Sequence, residues 1–337
     1  MLMVIFGAGA SYDSFAGALP PAYPLVRPPL ANQLFDQRFG DDYSGFPQCH
    51  PVIPFLQQPG ANVESVLEGL QQEAQQYSPG LTQLAAIRYY LQRMLWRCQT
   101  DWTQQVTKGV TNYKTLLDQI ARRPIGKGKV CLVTFNYDTL LDEALTSRGI
   151  QLQSIPDYVR SDFNLIKLHG SINWAHEVRN FEASDWNQMN MIPEIINKTP
   201  TLDINGNTFE IVHPDPFSRP FHKPLFPALS IPVEIKSGYE CPQEHQKALE
   251  DCLPQVTRVL IIGWRASENQ FLKTLADGLP KNASIMVVSR DEGSASLIVS
   301  RIMSAIRGTR GIIGDVFAAR NSFSNFISSS EANEFLR

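Results

Sequence analysis

Residues with the chemistry to bind or activate a ligand follow three apolar segments of this chain. The first segment, residues 3–6, runs into a Gly-Ala-Gly-Ala-Ser sequence at residues 7–11. Its two glycines permit a tight turn and the close approach of a phosphate, and a helix after Ser11 would direct its free backbone N–H groups at that anion. This pattern predicts a nucleotide-phosphate site. Because Tyr12 stands where a dinucleotide fingerprint has glycine or alanine, a turn without a ligand is the alternative.

Asn136 and Asp138 follow the second apolar segment, residues 130–134. We expect them at the carboxyl end of a parallel strand, which is where open α/β sheets bind their ligands. Asp138 has a structural alternative, because aspartate often caps the N-terminus of a helix and a helix is predicted from Thr139 to Thr146. Both interpretations place the Asp138 carboxylate at this edge of the sheet.

His169 ends the third apolar segment, residues 165–168, and is followed directly by Gly170. An isolated histidine is usually structural. Here its position at a strand end, beside a glycine that lets a ligand approach, indicates a general base, because imidazole exchanges a proton near neutral pH.

The elements that position these residues form a predicted α/β fold, a Rossmann-like doubly wound parallel sheet. Its strands are expected at residues 3–6, 130–134, 165–168, 259–262 and 285–288. We predict a single domain, residues 1–337, interrupted by two insertions. Residues 20–125 would be a proline-rich loop and a helical insertion, and residues 172–237 a hairpin around Asn205-Gly206 followed by a loop. The residues after Ile313 are expected to form only a short tail.

Composition narrows the class of protein. The formal net charge is −3 without a concentrated basic run, so direct nucleic-acid binding is not expected. No apolar run reaches the roughly 20 residues that span a bilayer, and no secretory leader is visible, so we expect a cytoplasmic protein. The five cysteines are widely spaced and never form C-x-x-C. We therefore expect buried thiols, no zinc ribbon and no bound metal.

Taken together, the Gly-Ala-Gly-Ala-Ser turn, Asn136-x-Asp138 and His169-Gly170 resemble the catalytic core of the sirtuins, in the same order. The alanine-rich turn, the Asn-Tyr-Asp form of the second motif and the Lys-Leu-His-Gly sequence are similar to the prokaryotic sirtuin-like branch. Weaker similarity continues through Ile231-Pro232 with Lys236 and through the Gly263-Trp264 turn.

The resemblance implies NAD as the ligand and a role for each matching residue. Asn136 would orient water or the nicotinamide ribose, Asp138 would hold the nicotinamide carboxamide, and His169 would be the base at a ribose hydroxyl. The implied NAD-binding residues are Gly7, Ala8, Gly9, Ser11, Asp13, Arg27, Gly263 and Trp264. Trp264 has core packing as an equal alternative, and the loop around Arg27 departs from the sirtuin pattern.

The chain also departs from the protein deacylases of that family. It lacks their four-cysteine zinc ribbon, and its two insertions replace their small zinc-bearing domain. The resemblance therefore implies an NAD glycohydrolase that produces nicotinamide and ADP-ribose, as in NAD-depleting effectors of bacterial antiphage defence. Such effectors are activated by an Argonaute-like protein, a translocase ATPase or a sensor protein, or by homo-oligomerisation.

Three alternatives stay open at the level of the sequence. The chain could be a zinc-free NAD-dependent deacylase or an ADP-ribosyl transferase, or it could be a non-catalytic module that senses NAD or ADP-ribose. The apolar faces of the helical insertion could also form an assembly interface.

Overall fold

The computed structural model describes residues 1–19, 23–124, 128–182, 188–212, 223–233, 238–307, 316–319 and 322–337. Its strands are β1 (Leu2–Phe6), β2 (Val130–Thr134), β3 (Phe163–Lys167), β4 (Gly170–Glu177), β5 (Glu210–Ile211), β6 (Leu225–Leu229), β7 (Arg258–Ile262), β8 (Ser284–Val288) and β9 (Val316–Ala319). The helices are α1 (Ala8–Tyr12), α2 (Tyr23–Val26), α3 (Gly40–Ser44), α4 (Ile53–Leu56), α5 (Val63–Ala74), α6 (Ser78–Asp101), α7 (Asn112–Ala121), α8 (Leu140–Thr146), α9 (Gln188–Lys198), α10 (Gln243–Cys252), α11 (Asn269–Gly278), α12 (Glu292–Arg307), α13 (Phe323–Ser328) and α14 (Ser330–Phe335).

The central sheet is parallel, in the order β3-β2-β1-β7-β8-β9. The five strands predicted from the sequence are all present in it. Every residue of β1 is buried and the strand pairs on both sides, with Leu2 opposite Val130 of β2 and Arg258 of β7. The chain leaves β1 toward β2 and later returns on its other side at β7. This reversal defines a doubly wound sheet, and ligands of such sheets bind at the carboxyl ends of the strands beside it.

Helices cover both faces of the sheet, which explains the continuous apolar character of the strands. Met3 and Ile5 of β1 face the cluster formed with α10, α11 and α12. Leu2, Val4 and Phe6 face the opposite cluster, which contains α7, α8, α13 and α14. The last helix of the 20–125 insertion, α7, thus packs directly on the sheet as part of the central fold.

The two insertions share one hydrophobic core. Leu67 of α5 and Leu91 of α6 lie in the same cluster as Ile172 of β4 and Phe226 of β6. In this second layer, β5, β4 and β6 form a separate antiparallel sheet. The insertions therefore pack together beside the central sheet, although 46 positions lie between the end of one and the start of the other in the sequence, from residue 126 to residue 171.

The prediction of a short tail after Ile313 is wrong. β9 is a sixth strand of the central sheet, parallel to β8, and α13 and α14 bury Phe323, Phe326 and Phe335 against it. Phe323, Phe326 and Ile327 are buried together in α13, but this helix has only six residues, too few for its apolar spacing to stand out in the sequence.

The hairpin predicted around Asn205-Gly206 also differs from the structure. The turn is present, but its flanks pair with β4 instead of with each other. Ile204 bridges Val178, and Ile211 pairs with Trp174, so the segment runs antiparallel along one edge of β4 with the turn bulging from it. The loop predicted after the turn contains the strand β6, and residues 213–222 and 234–237, which include Lys236, lie outside the described residues. Among the described helices, none combines the length and the apolarity needed to cross a membrane.

Candidate functional site

The glycine turn after β1 is packed against a second turn, after β7. A Cβ on Gly7 would lie 2.5 Å from the Trp264 Cα, and one on Gly9 would lie 2.8 Å from the Gly263 Cα. Gly263 itself has a φ of +63°, and a Cβ there would lie 2.3 Å from the Ala10 backbone nitrogen. Only glycine fits this contact. The glycines therefore bring β1 and β7 into contact at the point where the sheet reverses.

The helix expected after Ser11 begins earlier, at Ala8, and ends at Tyr12. The Gly9 N–H donates to the Gly263 carbonyl at 3.0 Å, so this amide serves the contact between the two turns. Ser11 is consequently a helical residue whose side chain points into the protein, where it is 3% exposed.

Ser11, Asn136 and Asp138 form one hydrogen-bond network, in which Ser11 and Asn136 are buried and Asp138 is half-buried. The Ser11 hydroxyl donates to Asp138 Oδ2 at 2.6 Å, and Asn136 Nδ2 donates to Ser11 Oγ at 2.9 Å and to the Gly7 carbonyl at 3.0 Å. Because the Gly7 carbonyl can only accept, these contacts assign the amide orientation of Asn136. Asn136 Oδ1 is then turned away from them, and it is buried without a hydrogen-bond partner among the described residues. A buried acceptor of this kind can accept a hydrogen bond from a donor group on a ligand.

The Asp138 carboxylate is fixed by its helix as well as by Ser11. Its Oδ1 accepts from the Leu140 N–H at 3.1 Å, so it satisfies the first amide of α8. The helix begins at Leu140 and not at the predicted Thr139, and Thr139 holds the N-cap position. Burial raises the pKa of Asp138, and the hydrogen bond from Ser11 and the charge of Lys167 partly oppose that rise. Lys167 is fully buried, and its Nζ donates to the Asp138 carbonyl at 2.8 Å.

His169 lies at the same sheet edge, on the neighbouring strand. β2 and β3 are in register, with Thr134 opposite Lys167, so Asn136 and His169 each follow two residues later. The imidazole is 6% exposed and packs edge-on against Phe135, with ring centroids 5.0 Å apart. Gly170 has a φ of +78°, and a Cβ there would lie 1.9 Å from the Ala228 carbonyl oxygen. Gly170 is therefore required for the turn from β3 into β4.

Three of the proposed NAD-binding residues have clear structural contacts of their own. Asp13 accepts from the Ser324 N–H at 2.9 Å and from its hydroxyl at 2.8 Å, which joins the first turn to α13. Arg27 donates to the Tyr12 carbonyl at 2.8 Å and lies over the Tyr12 ring. Trp264 is 2% exposed and stacks on Phe135 at 5.2 Å. These contacts place all three residues next to the glycine turn or to His169.

Two further residues of the site do not emerge from the sequence. Tyr113, on α7, has its hydroxyl 2.9 Å from Ser11 Oγ and 3.1 Å from Asn136 Nδ2. Gln99, on α6, accepts from the Thr139 N–H at 2.7 Å at the start of α8. Both lie within long helical patterns, where nothing in the sequence separates them from other buried polar residues.

No group of three or more histidine, cysteine, aspartate or glutamate side chains in the described part of the chain has the arrangement of a metal site. The cysteines are all buried and free.

The fold and the site define an α/β protein with a Rossmann-like sheet and a Ser-Asn-Asp hydrogen-bond network at the reversal point. No family model matches the chain, and no curated protein matches it. Among solved structures it is similar to a Sir2 homologue in complex with NAD, with 12% sequence identity and a TM-score of 0.40, covering 100% of this chain and 90% of the other. It is similar also to Sir2 with a p53 peptide and NAD+, with 11% identity and a TM-score of 0.40, covering 100% and 94%. Likeness of this degree assigns no activity.

Proposed function

We propose that the chain binds NAD and hydrolyses it to nicotinamide and ADP-ribose. The observation that carries the proposal is the Asn136 amide, whose nitrogen is fixed by Ser11 and Gly7 and whose buried Oδ1 has no partner among the described residues. A ligand N–H or O–H would satisfy this oxygen. The ribose hydroxyls and the carboxamide of NAD supply such donors, as does a water molecule.

The hydrolysis of NAD requires few groups from the protein. The bond between the nicotinamide nitrogen and the ribose carbon breaks, the oxygen of a water molecule bonds to that carbon, and the proton of the water is released. Asn136 would position the water or the ribose, and His169 would take up a proton at this edge of the sheet. Asp138 would accept a hydrogen bond from the carboxamide of nicotinamide.

The remaining proposed contacts surround the reversal point of the sheet. Gly7, Ala8, Gly9 and Ser11 would lie beside the pyrophosphate, with Gly263 on the neighbouring turn. Asp13, Arg27 and Trp264 would act mainly by shaping this region, since each is engaged with protein groups in the structure.

The cellular role that we propose is NAD depletion as an effector of bacterial antiphage defence. Its support is the set of motifs at residues 7–11, 136–138 and 169–170 together with the absence of C-x-x-C from the sequence. Activation would come from a protein partner, such as an Argonaute-like protein, a translocase ATPase or a sensor protein, or from homo-oligomerisation.

The test is a time course of the purified chain with NAD, in which nicotinamide and ADP-ribose are separated by chromatography at several protein concentrations and with candidate partners. His169→Ala and Asn136→Ala should abolish turnover with the fold intact. The exposed residues His50 and Asn282 provide matched controls, His50→Ala and Asn282→Ala, which should retain it.

Two results would replace the proposal. Release of nicotinamide that depends on an added acyl-lysine peptide would identify a deacylase. Binding of NAD without cleavage under every condition would identify a sensing module. Separately, unchanged turnover in His169→Ala or Asn136→Ala would show that the residue does not have the role assigned to it.

A further inference from the structure

Tyr113 is joined to the proposed catalytic asparagine although it lies on a helix of the insertion range. It occupies the first turn of α7, which Thr111 caps by accepting from the Lys114 N–H at 3.4 Å. The side chain is 1% exposed, and its hydroxyl lies 3.1 Å from Asn136 Nδ2 and 2.9 Å from Ser11 Oγ.

The direction of each hydrogen bond in this group follows from the count of protons. Ser11 has one hydroxyl proton and donates it to Asp138 Oδ2. Ser11 Oγ can then only accept, so the Tyr113 hydroxyl must donate to it. The lone pairs of Tyr113 are left to accept from Asn136 Nδ2. The two N–H protons of the Asn136 amide thus face three acceptors, the Gly7 carbonyl and the hydroxyl oxygens of Ser11 and Tyr113, so one proton is shared between two acceptors. The amide oxygen faces away from them.

The hydroxyl of Tyr113 keeps its proton across the neutral pH range. Burial raises the pKa of Tyr113 well above its ordinary value, and the nearby Asp138 charge raises it further. The group is therefore a fixed dipole and does not exchange a proton in the reaction.

The aromatic ring is held from two sides. Its centroid lies 5.1 Å from that of Phe6 at the end of β1 and 5.7 Å from that of Phe323 in α13. Contacts of this kind limit the positions that the ring can adopt. The hydroxyl is thereby presented to Asn136 by the central sheet and the C-terminal helix together.

We propose that Tyr113 is a positioning residue, which holds the Asn136 amide with Oδ1 turned toward the substrate and Nδ2 turned toward the glycine turn. This inference rests on the proposed function for its kinetic consequence. Its structural content, the orientation of the amide, can be measured without turnover.

The experiment compares Tyr113→Phe with Tyr90→Phe in the full chain. Tyr90 is an equally buried tyrosine on α6, whose hydroxyl donates to the Leu34 carbonyl at 2.5 Å, so its replacement also removes one buried hydrogen bond. We expect kcat for NAD cleavage to fall about 10-fold in Tyr113→Phe with KM unchanged within about twofold, because the amide nitrogen of Asn136 loses one of its three acceptors and is held less firmly by Gly7 and Ser11 alone. Tyr90→Phe should leave kcat unchanged.

A second measurement uses NMR of the Asn136 side-chain amide, whose signals are identified by their loss in Asn136→Asp. In Tyr113→Phe these protons should exchange with solvent faster than in the wild type, and in Tyr90→Phe they should not. If the wild type cleaves NAD and Tyr113→Phe has the same kcat, the positioning role is overturned. If the wild type does not cleave NAD, the proposed function fails. The NMR result then decides on Tyr113, with unchanged exchange overturning the inference and faster exchange supporting it.

Discussion

Asn136 Nδ2 lies 2.9 Å from Ser11 Oγ, although the two residues are 125 positions apart in the chain. The bond links the turn after β1 to the segment that follows β2. An entire helical insertion separates them in sequence, and β1 and β2 pair in continuous register from Leu2 opposite Val130 to Phe6 opposite Thr134. This arrangement makes the site sensitive to changes in residues that never touch a ligand.

Gly170→Ala should destabilise the protein far more than Gly149→Ala. Both glycines have positive φ, +78° and +84°, but an added Cβ meets the Ala228 carbonyl oxygen at 1.9 Å in the first and nothing within 4 Å in the second. We expect about 1 kcal/mol of lost unfolding free energy for Gly149→Ala, from backbone strain alone, and more than about 3 kcal/mol for Gly170→Ala. Chemical denaturation measures both, and equal losses would show that the contact with Ala228 is unimportant.

Lys167→Met should be strongly destabilising. Lys167 Nζ lies 3.0 Å from Asp142 Oδ2 within the core, and its removal leaves a buried carboxylate without its counter-charge. The expected loss of unfolding free energy is about 3–5 kcal/mol, measured by denaturant titration. The double variant Lys167→Met, Asp142→Leu should recover much of it. The partly exposed Arg148–Asp118 pair is the control, since Arg148→Met should cost less than about 1 kcal/mol.

Asp138→Asn should lower turnover without lowering the melting temperature. Burial raises the pKa of Asp138, so the native state binds a proton more tightly than the unfolded state. The stability contributed by this group is therefore lost as pH rises above the ordinary carboxyl pKa of about 3.9 toward the raised native value. Asp138→Asn carries no such charge, and we expect it to melt at or above the wild-type temperature at pH 7 while turnover falls.

Thermal melts of both proteins from pH 4 to pH 8 check this prediction. The wild type should lose stability relative to Asp138→Asn as pH increases. If the melting temperature of the wild type instead rises relative to that of Asp138→Asn over this range, the carboxylate is stabilising in the native state.

Asp13 and Ser324 should behave as one structural pair. Asp13→Ala removes both hydrogen bonds, whereas Ser324→Ala removes only the one from the hydroxyl, because the backbone N–H of Ser324 remains. Each variant should lower the unfolding free energy by about 1–2 kcal/mol, and the double variant should lose less than the sum of the two single losses. Neither should change the KM for NAD. A KM that rises in Asp13→Ala and stays constant in Ser324→Ala would instead identify Asp13 as a ligand contact.

The strands of the central sheet could be predicted from the sequence because both of its faces are covered. Buried parallel strands such as β2 and β7 are continuously apolar, and the polar residues at their ends are therefore conspicuous. Asn136, Asp138 and His169 are recognisable for this reason. The β9 strand and the helices after it escape prediction, because each spans only four to six residues, too few for a clear apolar period.

The partners of the site residues were harder to predict than the residues themselves. Tyr113 reaches Ser11 only because α7 packs on the central sheet, and a helical pattern does not specify which layer a helix joins. Likewise, the sequence does not show that the Asp13 carboxylate accepts a hydrogen bond from Ser324, since 311 positions separate the two residues. Local patterns identify strand ends, whereas contacts across the fold depend on the packing of whole layers.

The bond between Asp13 and Ser324 also bears on when the site can form during synthesis. β1 pairs with β7, and Asp13, which follows the first turn, accepts hydrogen bonds from Ser324. The contacts of the N-terminal segment are therefore complete only after residue 324 has been synthesised. Pairing over such separations is slow, because a long loop must close before the contacts form. A nascent chain on the ribosome could pair β1 with β2 and join Ser11 to Asn136 early, whereas Asp13 would gain its contact with Ser324 only after α13 has emerged.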